Sequence, residues 1–215
     1  MQAKKIAIIG ATGLIGSYII QHFNAAEKII AFTRNPIKSL PSNVENVLVD
    51  FTDWELIQQK MEGAEIAFSC MGTTYNQVKG DMELYHRVDV EIPLKFAKIA
   101  QKVGVKHFLL VSSIGASPAA KGFYLKMKWE LEHAISVLDF PGFSIFRPSL
   151  LMGNRKEFRL GERIFQYLMG PLSFLIPGSY KPIKAEDVAL AMIQKSLQEP
   201  NKEQILYYKE IKALL

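Results

Sequence analysis

The chain of 215 residues has a single cysteine, Cys70, so it can form no intramolecular disulfide. That scarcity excludes the disulfide-stapled secreted scaffolds, fits a reducing compartment, and leads us to expect a cytoplasmic protein. No apolar run approaches the roughly 20 residues that a bilayer-spanning helix needs. The apolar stretch after Met-Gln-Ala-Lys-Lys is too short for a signal-peptide core and reads as the first strand of a fold. Histidine is scarce and scattered: His22, His86, His107 and His133 show no metal-ligand spacing, and no metal is expected. Basic residues exceed acidic ones by 26 to 21 but form no long run. The resulting charge of +5 suits an anionic ligand and gives no special indication of nucleic acid. Repeats, low-complexity tracts and linkers are absent. With 49% hydrophobic and 22% charged residues the chain can bury a core without staples, which excludes disorder and collagen-like structure.

What is present is an alternation of short β-like runs and longer helical patterns. Strand signals lie at 6–9, 28–33, 46–50, 65–69, 106–112 and 143–146, with a last one at 205–208. Helical spacing covers 14–23, 54–61, 84–103, 124–138 and 185–197, and a final helical turn is expected at 210–215. The strands are apolar throughout rather than alternating, as parallel strands buried on both faces are. Strand and helix alternating in this way predict an α/β fold, a doubly wound parallel sheet of Rossmann type, in one domain over 1–215.

The strongest local signal is Lys5-Ile-Ala-Ile-Ile-Gly10-Ala-Thr-Gly13-Leu-Ile-Gly16, a strand running through three glycines into a helix. In such a turn the first glycine permits the bend, the second lets backbone amides approach a diphosphate, and the third lets the helix pack close. The helix N-terminus adds partial positive charge. The bare GxxGxxG spacing is weak evidence, and its strand-turn-helix setting is what gives it weight. Gly10, Thr12, Gly13, Leu14, Ile15 and Gly16 are therefore candidate cofactor-binding residues. An NAD site places an acid at the end of the second strand to hold the ribose 2′-hydroxyl. Here that strand ends Thr33-Arg34-Asn35-Pro36, with no acid. Arg34 can grip a 2′-phosphate through its guanidinium, and Thr33 can add a hydroxyl, so NADP(H) is expected over NAD(H). After the third strand, Asp50 and Phe51 are candidates to border the adenine, although Asp50 reads equally as a solvated strand end. After the fourth, Cys70, Gly72 and Thr73 lie where loops line the crevice of a doubly wound sheet. No neighbouring base marks Cys70 as a reactive thiol, and a buried small residue is the plainer reading.

Tyr124-Leu-Lys-Met-Lys128 is a YxxxK pattern, which Tyr75/Lys79, Tyr180/Lys184 and Tyr208/Lys212 also match. Context separates them. Pro182 breaks the second of these copies, the third lies at the chain end, and Tyr75 runs into Gly80. Tyr124/Lys128 alone begins a helix after a strand ending in Ser112-Ser113. Residues four apart share a helix face, so both side chains can face a nicotinamide. A nearby ammonium favours the phenolate form of a tyrosine. In a carbonyl reduction Tyr124 would give the proton, Lys128 would assist it and hold the nicotinamide ribose, and Ser113, or in second place Ser112, would hydrogen-bond the carbonyl oxygen.

With these residues in hand the chain resembles the short-chain dehydrogenase/reductase superfamily, and more narrowly its atypical branch with the HIV Tat-interacting protein group. The resemblance spans essentially the whole chain. It rests on GATGLIG at 10–16, TRNP at 33–36, SCMGTT at 69–74, GVKHFLLVSSIGA at 104–116, YLKMKWELE at 124–132, FRPSLLMGNR at 146–155 and KPIKAEDVALAM at 181–192. It implies a Rossmann fold, NADP(H) binding and a Ser-Tyr-Lys site, carried by Gly10, Gly13, Gly16, Arg34, Ser113, Tyr124 and Lys128. It also implies that Arg147 and Pro148, after the sixth strand, bring backbone to the nicotinamide carboxamide. The family often has glycine after the YxxxK lysine where this chain has Trp129, which reads as a packing change. Some members of the group resemble reductases, and others are regulatory proteins that bind NADP(H).

Choice of substrate falls to a small C-terminal extension on the substrate side, 149–185. Its apolar stretch 165–176 is broken by Gly170 and Pro171 and reads as a lid or wall over the nicotinamide, or as a core-packing helix. It suits a small hydrophobic substrate, a protein partner or a homodimer contact. Arg155, Arg159 and Arg163, four apart, would form one basic face that meets an acidic ligand or only solvent. Three functions follow: an NADPH-dependent carbonyl reductase, a non-catalytic NADP(H)-binding regulator, and a nucleotide-sugar epimerase. The last needs a substrate domain for which the chain has little length after residue 150.

Overall fold

The structure, a computed structural model, describes residues 4–23, 28–153 and 180–215. Strands β1 (Lys5–Ile9), β2 (Lys28–Thr33), β3 (Val44–Leu48), β4 (Ile66–Ser69), β5 (His107–Val111) and β6 (Gly142–Phe146) are joined by helices. These are α1 (Leu14–His22), α2 (Trp54–Met61), α3 (Met82–His86), α4 (Ile92–Lys102) and α5 (Phe123–Ser136). Two short strands, β7 (Leu151–Met152) and β8 (Ile183–Lys184), pair with each other. Helix α6 (Ala185–Ser196), strand β9 (Glu203–Leu206) and helix α7 (Tyr208–Ala213) complete the order. The main sheet has seven strands in the order β3-β2-β1-β4-β5-β6-β9, and every pair is parallel.

The apolar strand runs explain this arrangement. Along β1, Ile6 and Ile8 enter one core, with α1 and α6, while Ala7 and Ile9 enter the other, with α2, α4 and α5. A strand apolar on both faces can be satisfied only by helices on both sides. Successive strands run outwards from β1 through β2 to β3, and on the other side from β4 to β9, so the chain reverses between β1 and β4. The C-terminal ends of those two strands define the crevice in which this architecture binds ligands.

The differences from expectation have local causes. The third strand lies two residues earlier than predicted, since Asp50 turns back to bond Thr52 instead of extending the ladder. The last strand and helix likewise begin at 203 and 208 rather than 205 and 210. The long helix predicted over 84–103 starts at Met82, capped by Asp81, and contains a π-helical turn at Arg87–Glu91. Pro93 explains the turn. Proline has no amide for the carbonyl four residues back, and its ring crowds that carbonyl, which belongs to Asp89. The helix widens instead, and the Ile92 amide reaches the Arg87 carbonyl. The β7–β8 pair was not anticipated. Ser149 Oγ also donates to the Lys181 carbonyl, so both ends of the expected substrate-side segment are tied together. The apolar 165–176 stretch and the three arginines at 155, 159 and 163 lie outside the described residues.

Candidate functional site

The glycine turn closes on itself. The Gly13 amide donates to the Gly10 carbonyl at 2.9 Å, and the Ser17 amide to the Gly13 carbonyl at 2.9 Å. No side chain caps α1, so the amides of Leu14, Ile15 and Gly16 have no acceptor among the described residues and point their dipoles out of the helix. Gly10 has φ +75°, and a Cβ there would lie 2.4 Å from the Cys70 carbonyl carbon. The first glycine therefore serves close approach between the β1 and β4 loops as much as the bend. A Cβ on Gly16 would lie 2.2 Å from the Gly10 carbonyl oxygen, so the third glycine lets the helix close on the turn itself. Thr12 is exposed and Ile15 buried. Leu14, half-buried, packs where Gly153 passes, close enough that a Cβ on that glycine would meet Leu14 Cδ1 at 2.9 Å. The start of the substrate-side segment thus abuts the first residue of α1.

The end of β2 divides its two candidates. Thr33 is buried, and its hydroxyl donates to the Asn35 carbonyl at 2.8 Å while accepting from Asn46 Nδ2 at 2.7 Å. Asn46 also bonds the Ala31 carbonyl and the Ile37 amide, pinning the turn from β3. The Thr33 hydroxyl expected at a 2′-phosphate is thus committed to holding the loop. Arg34, presented by that loop, is exposed and makes no hydrogen bond or ion pair among the described residues. Asp50 is exposed, with Oδ1 accepting from the Thr52 amide and hydroxyl, and the hydroxyl contact first among these holds its carboxyl below the usual range. Phe51 takes a left-handed φ of +62° and sends its ring into the core beside Trp54.

Beyond β4 the chemistry concentrates. Cys70 is half-buried, and burial holds its thiol above its usual pKa, which disfavours the thiolate. The Thr73 amide donates to Asp89 Oδ2 at 2.7 Å, and Asp89 Oδ1 lies 3.1 Å from Lys128 Nζ. Both charged side chains are almost wholly buried, with 0% and 5% exposure. Gly72 borders both: a Cβ there would lie 3.4 Å from Asp89 Oδ1 and 3.6 Å from Lys128 Nζ. Burial works against the Lys128 ammonium, but Asp89, with Tyr124 and Tyr85, outweighs it and raises the lysine above its ordinary pKa. Lys128 Nζ sits 5.6 Å from the Tyr124 ring centroid. Tyr124 packs on Val78, Tyr85, Val90 and Met127, half-buried, and its hydroxyl has no hydrogen-bond partner among the described residues. The structure therefore brings Tyr124, Lys128, Gly72 and Thr73 together. At the end of β5, Ser112 is buried with an unpartnered Oγ, and Ser113 is half-buried with its Oγ 3.3 Å from the Ile114 carbonyl. Trp129 stacks on His133, one turn along α5.

Arg147 serves the fold through its side chain. Nε and Nη2 bind Glu132 Oε1 and Oε2 at 3.0 and 2.5 Å, and Nη1 binds the Tyr207 hydroxyl at 2.9 Å. The Glu132 contact is the main reason the guanidinium is held even above its usual pKa. The backbone expected to meet a carboxamide is also partly engaged: the Arg147 amide donates to the Leu206 carbonyl, and the Pro148 carbonyl accepts from Ile114.

Sequence reading missed Asp89. Two signals mark it: an acid on the buried stripe Tyr85, Asp89, Ile92, Phe96, and a proline four residues later.

Residues 10–137 match the family described as NAD(P)H-binding. The chain is similar to protein HTATIP2 of Rattus norvegicus, 33% identical over 178 residues, covering 80% of this chain and 73% of that protein. It is also similar to the mitochondrial protein FMP52 of Debaryomyces hansenii, 35% identical over 164 residues, covering 74% and 72%. Among solved structures, MoeE5 in complex with UDP-glucose and NAD superposes with a TM-score of 0.73 at 16% identity, covering 96% of this chain and 79% of that one. At that identity the likeness is one of fold. The cytoplasmic expectation is overturned, because the FMP52 relatives of Debaryomyces hansenii and two further yeasts are named as mitochondrial proteins. A lone cysteine argues only for reducing conditions.

Proposed function

From the premise that the chain belongs to the NAD(P)H-binding, atypical short-chain dehydrogenase/reductase group, we propose that it is an NADP(H)-dependent reductase of a small carbonyl compound. The observation that carries this reading is the Tyr124–Lys128 pair. A phenol without a partner among the described residues and a buried ammonium stand together beside the loop after β4.

The residues fit a nicotinamide dinucleotide. The turn at Gly10 is a cradle that a Cβ would fill, and the uncapped first turn of α1 offers amides to the diphosphate. Exposed Arg34 meets the 2′-phosphate, with Asn46 and Thr33 steadying the loop that presents it. Lys128 holds the nicotinamide ribose. When bound, the cofactor supplies the hydride. Tyr124 donates its hydroxyl proton to the substrate oxygen, and the Lys128 ammonium favours the phenolate that remains. Ser113 or Ser112 donates a hydrogen bond to that oxygen, and the orphaned Ser112 hydroxyl favours a role for the pair at the strand end.

The test is hydride transfer from NADPH and from NADH across a panel of small carbonyl compounds. Tyr124→Phe should lower the rate at least about a hundredfold. Arg34→Ala should weaken NADPH at least about tenfold while sparing NADH. Equal rates in wild type and Tyr124→Phe would exclude the acid role, and equal weakening of both nucleotides would exclude the 2′-phosphate contact.

A further inference from the structure

We propose that Asp89 is a positioning residue that keeps Lys128 ionised and aimed at the loop after β4, coupling the lysine to the nicotinamide half of the cofactor site. The inference rests on the reductase reading for the role of Lys128, but its own evidence is separate. Asp89 is fully buried on the π-helical turn that Pro93 imposes. Its two oxygens have different tasks. Oδ2 takes the Thr73 amide at 2.7 Å, which fixes the loop carrying Gly72, and Oδ1 faces Lys128 Nζ at 3.1 Å.

A buried lysine is a costly group. Desolvation alone can push its pKa down by several units and neutralise it. Among the described residues the charged or titratable groups that act on it are Asp89 from the π-helical turn, Tyr124 from its own helix and Tyr85 from α3, while the Thr73 amide of the loop after β4 is spent on Asp89. Asp89 is the acid among them. Without it burial would dominate, and the lysine would lose its proton together with its hold on ribose hydroxyls. Tyr124 would lose the positive charge beside it.

Asp89→Asn retains an oxygen for the Thr73 amide and replaces the charged oxygen facing Lys128 by a neutral NH2 group. NADPH affinity should fall about tenfold, while the affinity for 2′,5′-ADP, which lacks the nicotinamide ribose, should stay within about twofold. The carbon-13 resonance of Lys128 Cε, followed in nucleotide-free protein, should titrate at least about one pH unit lower than in wild type. A merely structural role would weaken both nucleotides alike and leave the lysine titration unmoved, and either result overturns the proposal. Removing both charges of a buried pair is tolerated better than removing one, so Lys128→Met and Asp89→Asn/Lys128→Met complete a cycle in case Asp89→Asn alone is unstable. In the Lys128→Met background Asp89→Asn should leave the ratio of NADPH to 2′,5′-ADP affinities unchanged, and a further fall there refutes action through the lysine. If wild type binds no NADPH the reductase reading fails, while the Lys128 titration still decides whether Asp89 governs the lysine.

Discussion

Replacing Arg147 by methionine should cost the protein much of its stability and little of its nucleotide affinity. Three guanidinium nitrogens are spent inside the protein, two on Glu132 and one on the Tyr207 hydroxyl. The side chains of Arg147 and Glu132 are only 13% and 5% exposed, so solvent cannot replace the lost partner well. Methionine retains most of the buried stem but leaves the Glu132 carboxylate uncompensated. Breaking a buried ion pair from one side costs about 3–5 kcal/mol. A domain of ordinary stability, roughly 5–15 kcal/mol, would lose about a fifth of it or more. The assay is urea unfolding followed by the fluorescence of Trp54 and Trp129, beside NADPH binding at a urea concentration where both proteins are folded. Glu132→Gln in the Arg147→Met background should recover at least about half of the loss, since no unpaired charge is then buried. An unchanged unfolding midpoint with a tenfold loss of NADPH affinity would refute this reasoning and return the guanidinium to the cofactor.

Two further outcomes test other parts of the structure. Burial, then the charges of Lys195 and Lys4, pushes the His107 imidazole down to about 4, and its Nε2 lies 2.9 Å from Ser144 Oγ. With an unfolded value near 6.5, the unfolded chain takes up a proton that the folded protein refuses. Stability should therefore fall as pH drops from about 6.5 towards 4, by roughly 3 kcal/mol from this group. His107→Asn should flatten that slope in unfolding measured against pH, and an identical slope would remove the imidazole as its source. Gly10→Ala should abolish NADPH binding, measured by fluorescence titration, because the new methyl meets the Cys70 backbone at 2.4 Å. Gly63 has the same φ of +75° but nothing within 4 Å, so Gly63→Ala should leave binding intact at about 1 kcal/mol of strain. Equal binding in the two variants would refute the close approach of the two loops as the reason for Gly10.

Much of the architecture was legible because its signals are local. Apolar runs such as Lys5–Ile9 and Gly142–Phe146 announce strands buried on both faces, and glycines after the first of them announce the turn. The Tyr124/Lys128 spacing needed only one helix to bring the two side chains together. What escaped depends on which elements pack against which. Glu132 and Tyr207 meet Arg147 from α5 and from the end of β9, across separations of 15 and 60 residues. No spacing rule joins those positions. Asp89 is an intermediate case. Its burial needed the fold, but Pro93 inside a helical pattern already required a local break, and an acid four residues before it is the residue whose carbonyl the proline displaces.

The ends of the strands show why residue type alone assigns roles poorly. Thr33 and Arg34 are neighbours at the end of β2, and sequence chemistry suits both to a phosphate. Thr33 ends the strand and is buried, while Arg34 opens the loop and is exposed, so the smaller one lies where an unbonded hydroxyl would be costly. Asn46 and the Asn35 carbonyl satisfy it, and the loop becomes firm enough to present the larger one outwards. The same division recurs after β4, where the Thr73 amide is spent on Asp89 so that Gly72 can pass beside Lys128. In both places one residue is consumed in fixing the backbone beside a neighbour that makes no such bond among the described residues. Asn46 and Asp89, supplied from β3 and from the π-helical turn, are the residues that enforce this division, and neither belongs to a motif that binds anything.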